Sequence, residues 1–338
     1  MKRILITGAT GFIGHHLVDY ILSKTAYEVV ALDRMSFAGS MSRLADLRSV
    51  SENSKRISWR WHDLRAPISE LLAEQIGHVD IILHLAASSH VDRSIADPIG
   101  FVMDNTLGTA HLLDYARRLC GLERFLYFST DEVFGPAPVG VAYREWDRYH
   151  SANPYAASKA GAEELCLAFR NTYGLPVIVT HTMNVFGERQ HPEKYIPMTV
   201  KKVCDGGNVI VHSSRDRKRP GSRFYIHAQD VASAVMFLLS RGQPGEKYNI
   251  VGEREVDNLI LAKMIADTCH RPLRYELVDF HSSRPGHDLR YALDGSRLAA
   301  MGWRHGASFP ESLEKTVRWY LDNPQWLFCG HVRQEVAA

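Results

Sequence analysis

The run Ser129-Thr130-Asp131-Glu132 stands upstream of Tyr155 and Lys159, a tyrosine and a lysine four residues apart. On a helix that spacing puts both side chains on one face, where a phenol and an ammonium can act together on a hydroxyl proton. Adjacent Asp and Glu side chains add an acid and a base that simple alcohol oxidation does not need. Residues of these types point to oxidation plus a second proton-transfer step.

Groups like these need a rigid edge to stand on, and the surrounding pattern supplies one. Lys2 to Thr7 reads as a buried parallel strand, the glycine-spaced segment after it opens a helix through about Leu22, and Tyr27 to Asp33 is the next strand. Val79 to Ala86 and Arg124 to Ser129 are further apolar strands, separated by a helical pattern from about Ile99 to Leu119. Asn153-Pro154 starts a helix spanning Tyr155 to Tyr173, ended by Gly174 and Pro176, and Leu175 to Thr182 follows as a strand. Such alternation predicts an α/β fold with a parallel sheet covered on both faces.

After Asn184 the texture changes, because His191-Pro192, Pro197, Gly206-Gly207 and Pro220-Gly221 interrupt the alternation. Phe224 to His227 and a helix from Asp230 to about Ser240 read as a return to the first lobe, and Tyr248 to Val251 precedes another excursion. The expected division is residues 1–183 plus 223–251 as a dinucleotide-binding domain, 184–222 plus 252–330 as a smaller, discontinuous substrate lobe, and 331–338 as a tail.

Composition narrows the partners. Lys plus Arg number 40 against 38 Asp plus Glu, a near balance that argues against a surface built to coat nucleic acid. The five cysteines, Cys120, Cys166, Cys204, Cys269 and Cys329, are scattered without CxxC spacing, so neither a disulfide framework nor a metal site is expected. Met1-Lys2-Arg3 runs straight into the first strand, and no stretch approaches the ~20 apolar residues of a membrane span. A cytoplasmic protein with reduced thiols, no membrane and no metal is the expectation.

Gly8-Ala9-Thr10-Gly11-Phe12-Ile13-Gly14 lies between a strand and a helix, the context in which glycines let backbone amides approach a pyrophosphate. Asp33 ends the second strand, placed to accept both hydroxyls of an adenosine ribose, and its charge disfavours a 2′-phosphate, favouring NAD over NADP. Arg34 beside it is the residue that could instead pair with a 2′-phosphate. Asp63-Leu64 and Leu85-Ala86-Ala87 end two later strands on the same sheet edge and are candidate cofactor contacts.

With these residues in view the chain resembles the extended short-chain dehydrogenase/reductase family, and within it the nucleotide-diphospho-glucose 4,6-dehydratases of the dTDP-glucose type. The resemblance runs from Gly8 through Ser88-Ser89-His90-Val91-Asp92-Arg93-Ser94, Ser129 to Gly135, Tyr155 to Lys159, Pro192-Glu193-Lys194 and Arg284-Pro285-Gly286-His287-Asp288 to Trp319-Tyr320. Only Thr130-Asp131-Glu132 is specific to the dehydratase branch. It implies a Rossmann-type doubly wound sheet, a tightly bound and recycled NAD, and an NAD-dependent lyase that makes a 4-keto-6-deoxy sugar.

In that scheme Tyr155, assisted by Lys159 and the positive nicotinamide ring, takes the 4-hydroxyl proton, and Thr130 hydrogen-bonds the 4-keto oxygen. Glu132 then removes the proton on carbon 5, while protonated Asp131 helps the 6-hydroxyl leave. The resemblance also places Ser89, Asn184, Lys194, Tyr195, Arg223, Asn258, Arg284 and His287 on the nucleotide-sugar, and implies a homodimer paired through segments around Asp104 to Leu119 and Pro154 to Tyr173.

Departures from the family pattern are Ser88 for a usual glutamate, His181 for an arginine, Asn184-Val185 for paired asparagines, and Phe134 and Phe186 for tyrosines. A basic stretch, Arg215-Asp216-Arg217-Lys218-Arg219, replaces a short Gly-Asp-Gly turn; it reads as a solvated charge run or as a loop closing on the diphosphate. These departures leave sibling reactions open, namely 5,6-dehydration, epimerisation or decarboxylation, along with a non-catalytic sensor of NAD or nucleotide-sugar.

Overall fold

The computed structural model describes residues 1–36, 38–280 and 289–328. Its centre is a seven-stranded parallel sheet. The strands are β1 (Arg3–Thr7), β2 (Glu28–Asp33), β3 (Ile57–Trp61), β4 (Ile81–His84), β5 (Arg124–Thr130), β6 (Val177–Thr182) and a last one, Lys247–Ile250. Across the sheet the order is Lys247–Ile250, β6, β5, β4, β1, β2, β3. All seven strands run the same way, but the order in which the chain adds them reverses at β1 and β4, which makes a crevice at the carboxyl ends, where open α/β sheets bind ligands.

Period-two alternation explains why helices cover both faces. Ile4 and Ile6 of β1 join one apolar cluster with Leu17, Val18 and Ile21 of helix α1 (Phe12–Lys24) and Val231 and Val235 of helix Ala228–Arg241. Leu5 points the other way, into a cluster with Leu112 and Leu113 of helix Gly108–Ala116 and Ala162 and Cys166 of helix Pro154–Tyr173. Every residue of β1 from Ile4 to Thr7 is therefore buried.

A further apolar cluster forms beyond this sheet. It joins Ile196 and Val200 of helix Tyr195–Cys204, Leu261 and Ile265 of helix Asn258–Thr268, and Leu313 and Val317 of helix Phe309–Asp322. Val209 and Val211 contribute from strand Asn208–Ser213, which pairs in parallel with Arg274–Asp279. Among the described residues no helix is long and apolar enough to cross a membrane.

One local expectation is corrected. The strand expected over 79–86 stops at His84, because Leu85 and Ala86 leave the sheet to pass the glycine loop. Within the return at Phe224 to His227, Ser222–Phe224 pairs antiparallel with Glu255–Asp257 and Ile226–His227 pairs in parallel with Val185–Phe186.

Candidate active site

Gly8 has φ +72°, and a Cβ there would lie 2.7 Å from the Ala86 nitrogen. At Gly14 a Cβ would lie 2.1 Å from the Gly8 oxygen. Glycine is thus demanded by close backbone approach as well as by a left-handed turn. Beside the loop opens a cavity of about 730 Å³, and every residue assigned to the cofactor from sequence lines it, from Gly8 to Gly14 through Asp33 to Ala87.

Asp33 Oδ2 accepts from the Thr10 amide at 3.0 Å and the Thr10 hydroxyl at 2.7 Å, while Oδ1 accepts from the Met35 amide at 2.8 Å. Its neighbour Arg34 lines the same cavity. Arg34 grips Asp104 with both terminal nitrogens at 2.7 Å and reaches Asp63 at 3.1 Å, so its guanidinium is committed to carboxylates and is not held out for a 2′-phosphate.

β5 ends at Thr130 and passes into a single 3₁₀ turn, Asp131–Phe134. The Thr130 hydroxyl accepts from the Glu132 amide at 3.3 Å and donates to Asp131 Oδ1 at 3.0 Å. Thr130 does cap this turn, and the same turn carries Asp131 and Glu132 to the cavity wall. Asp131 Oδ2, Ser129 Oγ and Thr182 Oγ1 are buried without a hydrogen-bond partner, an arrangement that costs free energy unless a ligand supplies partners.

Burial pushes the Asp131 carboxyl up to about 6, against the pull of Arg223 and the Thr130 hydrogen bond. Burial, and then the Asp131 charge, push Glu132 up to about 7. Two interacting carboxyls titrate as a pair, and burial raises both of them toward neutrality.

Helix Pro154–Tyr173 delivers Tyr155 and Lys159, its start fixed by Asn153, whose Oδ1 accepts from the Ala156 amide at 2.8 Å. Nδ2 of the same Asn153 donates to Glu132 Oε2 at 3.1 Å, so one residue caps the helix and holds the carboxylate. Burial raises the Tyr155 phenol above its usual value, the Glu132 charge adds to this, and a Thr130 hydrogen bond opposes it. Lys159 is brought down to about 7 by burial, and its ammonium lies 4.3 Å from the Tyr127 ring centre.

A second cavity of about 280 Å³ adjoins the first and shares Ser89, Asp131, Glu132, Tyr155, Asn184 and Lys194 with it. Tyr195, Arg223 and Asn258 line it as well. Asn258 does not cap the helix it begins: Asp257 does, accepting from Leu259 and Ile260. The Asn258 amide oxygen instead accepts from the Tyr225 hydroxyl at 2.8 Å. Arg284 and His287 lie outside the described residues. Arg215, Arg217, Lys218 and Arg219 are exposed, and none lines either cavity.

Sequence reading passed over several residues. A π-helical turn, Val102–Leu107, presents Asn105, which accepts from the Ser88 amide at 2.7 Å and donates to the Ser158 hydroxyl at 2.9 Å. The departures at Ser88, His181 and Phe134 also find partners. Ser88 donates to Asp104 at 2.6 Å. His181 sits 3.1 Å from Glu163, which pairs with Lys247 at 2.8 Å, and the Phe134 ring packs 4.8 Å from the imidazole. His212 and Phe280 face each other at 6.0 Å in the second cavity.

Comparison with known proteins gives consistent results. Residues 4–251 match the model of the NAD dependent epimerase/dehydratase family. A dTDP-glucose 4,6-dehydratase of Escherichia coli is 36% identical, over 96% of this chain and 95% of that protein. Among solved structures, dTDP-glucose 4,6-dehydratase of Streptomyces venezuelae with NAD bound superposes with TM-score 0.85 at 37% identity, covering 96% of this chain and 98% of that one. A Thermus thermophilus UDP-glucose 4-epimerase in complex with NAD gives 0.83 at 27% identity, covering 94% and 99%.

Proposed function

The chain belongs to the NAD dependent epimerase/dehydratase family, and from that premise we propose that it is an NAD-dependent 4,6-dehydratase of a nucleotide-diphospho-hexose. One observation carries the reading: a single cavity holds the glycine loop and Asp33 together with Thr130, Asp131, Glu132, Tyr155 and Lys159. An epimerase needs no adjacent acid and base, whereas a dehydratase does. The loop without room for side chains and the carboxylate at the end of β2 fit a dinucleotide. When bound, NAD supplies a hydride acceptor for carbon 4 and the matching donor for carbon 6, so it is not consumed.

The protein's own residues manage the protons. Tyr155 takes the proton of the 4-hydroxyl, and Thr130 turns its hydroxyl from Asp131 to the oxygen on carbon 4. The carbonyl there acidifies carbon 5, whose proton passes to Glu132, and Asp131 gives its proton to the departing 6-hydroxyl, which leaves as water. Glu132 returns its proton to carbon 5 once carbon 6 is reduced. Because burial raises both carboxyls toward neutrality, the pair can furnish one acid and one base. Asp131 Oδ2 is buried without a hydrogen-bond partner and so stands open to a substrate hydroxyl.

Arg223, Asn258, Tyr195 and Lys194 are assigned to the nucleotide diphosphate, with Ser89 and Asn184 on the sugar. Arginine suits a diphosphate because its planar fork donates two bonds at once. Commitment of Arg34 to two carboxylates supports NAD over NADP. A homodimer is supported by exposed Ile99, Met103 and Leu107, which recur every four residues along the helical run from Pro98 to Leu107. Cytoplasmic residence fits the free thiols of Cys120, Cys166, Cys204 and Cys269.

The test is to incubate the protein with a panel of nucleotide-diphospho-hexoses deuterated at carbon 4, including dTDP-glucose. A 4-keto product carrying deuterium at carbon 6 is expected from one of them. Isomerised sugar without loss of water would reassign the chain to epimerisation, and no conversion of any sugar would leave the dehydratase reading without support.

A further inference from the structure

Arg43 lies in the short helix Met41–Ala45, is 1% exposed, and lines the large cavity. Its Nη1 donates to the carbonyls of Thr10 at 3.0 Å and of Ala38, and its Nε donates to the carbonyl of Arg189 at 3.0 Å. All three acceptors are backbone oxygens. Among the described residues Arg43 forms no ion pair, and its Nη2 makes no hydrogen bond.

Burial lowers the guanidinium to about 10, which still leaves it charged at neutral pH. A buried cation without a paired anion is an unfavourable arrangement, and the Asp33 charge offsets it only in part, since that carboxylate makes no ion pair with Arg43 and is held by Thr10 and Met35. Thr10, which anchors Arg43, is itself part of the glycine loop. The open nitrogen of a carbonyl-anchored guanidinium thus belongs to the same wall as the loop and Asp33.

We propose that Arg43 is a phosphate-binding residue of the cofactor site, its Nη2 donating to the diphosphate of the bound dinucleotide. The inference rests on the NAD reading of the site. The anchoring bonds hold the guanidinium in place before the ligand arrives, so little side-chain entropy remains to be lost on binding. A charge-assisted contact of this kind slows release of the cofactor.

The experiment uses the enzyme as purified with its cofactor. Release of NAD is followed by exchange against labelled NAD in the wild type, Arg43→Met and Arg43→Lys, with ADP, adenosine and 2′-AMP as competitors and a melting curve for each variant. Arg43→Met should release NAD at least about tenfold faster and weaken ADP competition by a similar factor, with adenosine competition unchanged. Arg43→Lys, which retains a charge, should fall between, and its profile decides the matter if Arg43→Met does not fold. Unchanged release, or equal weakening of ADP and adenosine, would make Arg43 a brace for the loop and overturn the proposal. Weakening confined to 2′-AMP would also overturn it, by moving the contact to a 2′-phosphate. A wild type that retains no NAD would count against the cofactor reading itself, a separate result.

Discussion

Glu132→Gln should separate chemistry from stability in opposite directions. In the folded chain the carboxyl is raised from 4.5 to about 7, and at about 1.4 kcal/mol per unit this is a penalty of about 3 kcal/mol on the ionised form, reduced where water reaches the half-buried side chain. A raised carboxyl stabilises the fold fully only below its unfolded value, and that contribution is lost as pH climbs through the folded value. The amide can keep the Asn153 hydrogen bond but carries no charge. The variant should therefore match the wild type in stability near pH 4.5 and exceed it by roughly 2–3 kcal/mol above pH 7. Loss of the general base should slow dehydration by about 10²–10⁴. Oxidation should survive, because removing the Glu132 charge removes one cause of the raised Tyr155 phenol. Stopped-flow absorbance should show reduced cofactor accumulating without dehydrated product, and denaturant melts across pH should show the widening gap. Wild-type turnover, or a stability difference that does not change with pH, would refute the assigned base and its electrostatic origin.

Glu163→Leu should cost about 3–5 kcal/mol in chemical denaturation, since it strands Lys247 and His181 in the interior beneath Phe134; a loss under 1 kcal/mol would show the charges to be screened. Neutralising Arg217, Lys218 and Arg219 should leave NAD retention and kcat untouched and lower kcat/KM at low salt only, because these exposed side chains can steer an anionic substrate without touching it. A salt-independent loss would instead mean that the loop contacts bound substrate. Leu107→Asp should shift the sedimentation of a dimer toward monomer, and an unchanged profile would clear the helix run of an interface role.

The main sheet is legible in the chain because buried parallel strands carry apolar runs that need no knowledge of their neighbours, as in β1 and β5. Glycine spacing and the Thr130-Asp131-Glu132 triplet are legible for a related reason: their function depends on local order along the chain. What the sequence hides depends on contacts across it. Asn153 reads as a helix cap, and nothing local reveals its second bond to Glu132. Asn105 and Ser158 are joined across 53 positions. Arg43 gives no sign of being interior, since arginine is ordinarily a surface residue. The basic stretch after His212 shows the reverse case, in which a conspicuous local pattern lies entirely in solvent.

The π-turn at Val102–Leu107 has a kinetic meaning. Through Asn105 it ties the loop after β4, on the cofactor side, to Ser158, one residue before Lys159 on the helix that bears Tyr155. A reaction that removes hydride at one carbon and restores it at another passes through an interval in which the sugar is oxidised and labile. Losing either ligand during that interval wastes both. A single asparagine bonded to both walls couples their positions, so Asn105→Ala is expected to speed loss of both ligands in that interval, which trapping of released intermediate would measure.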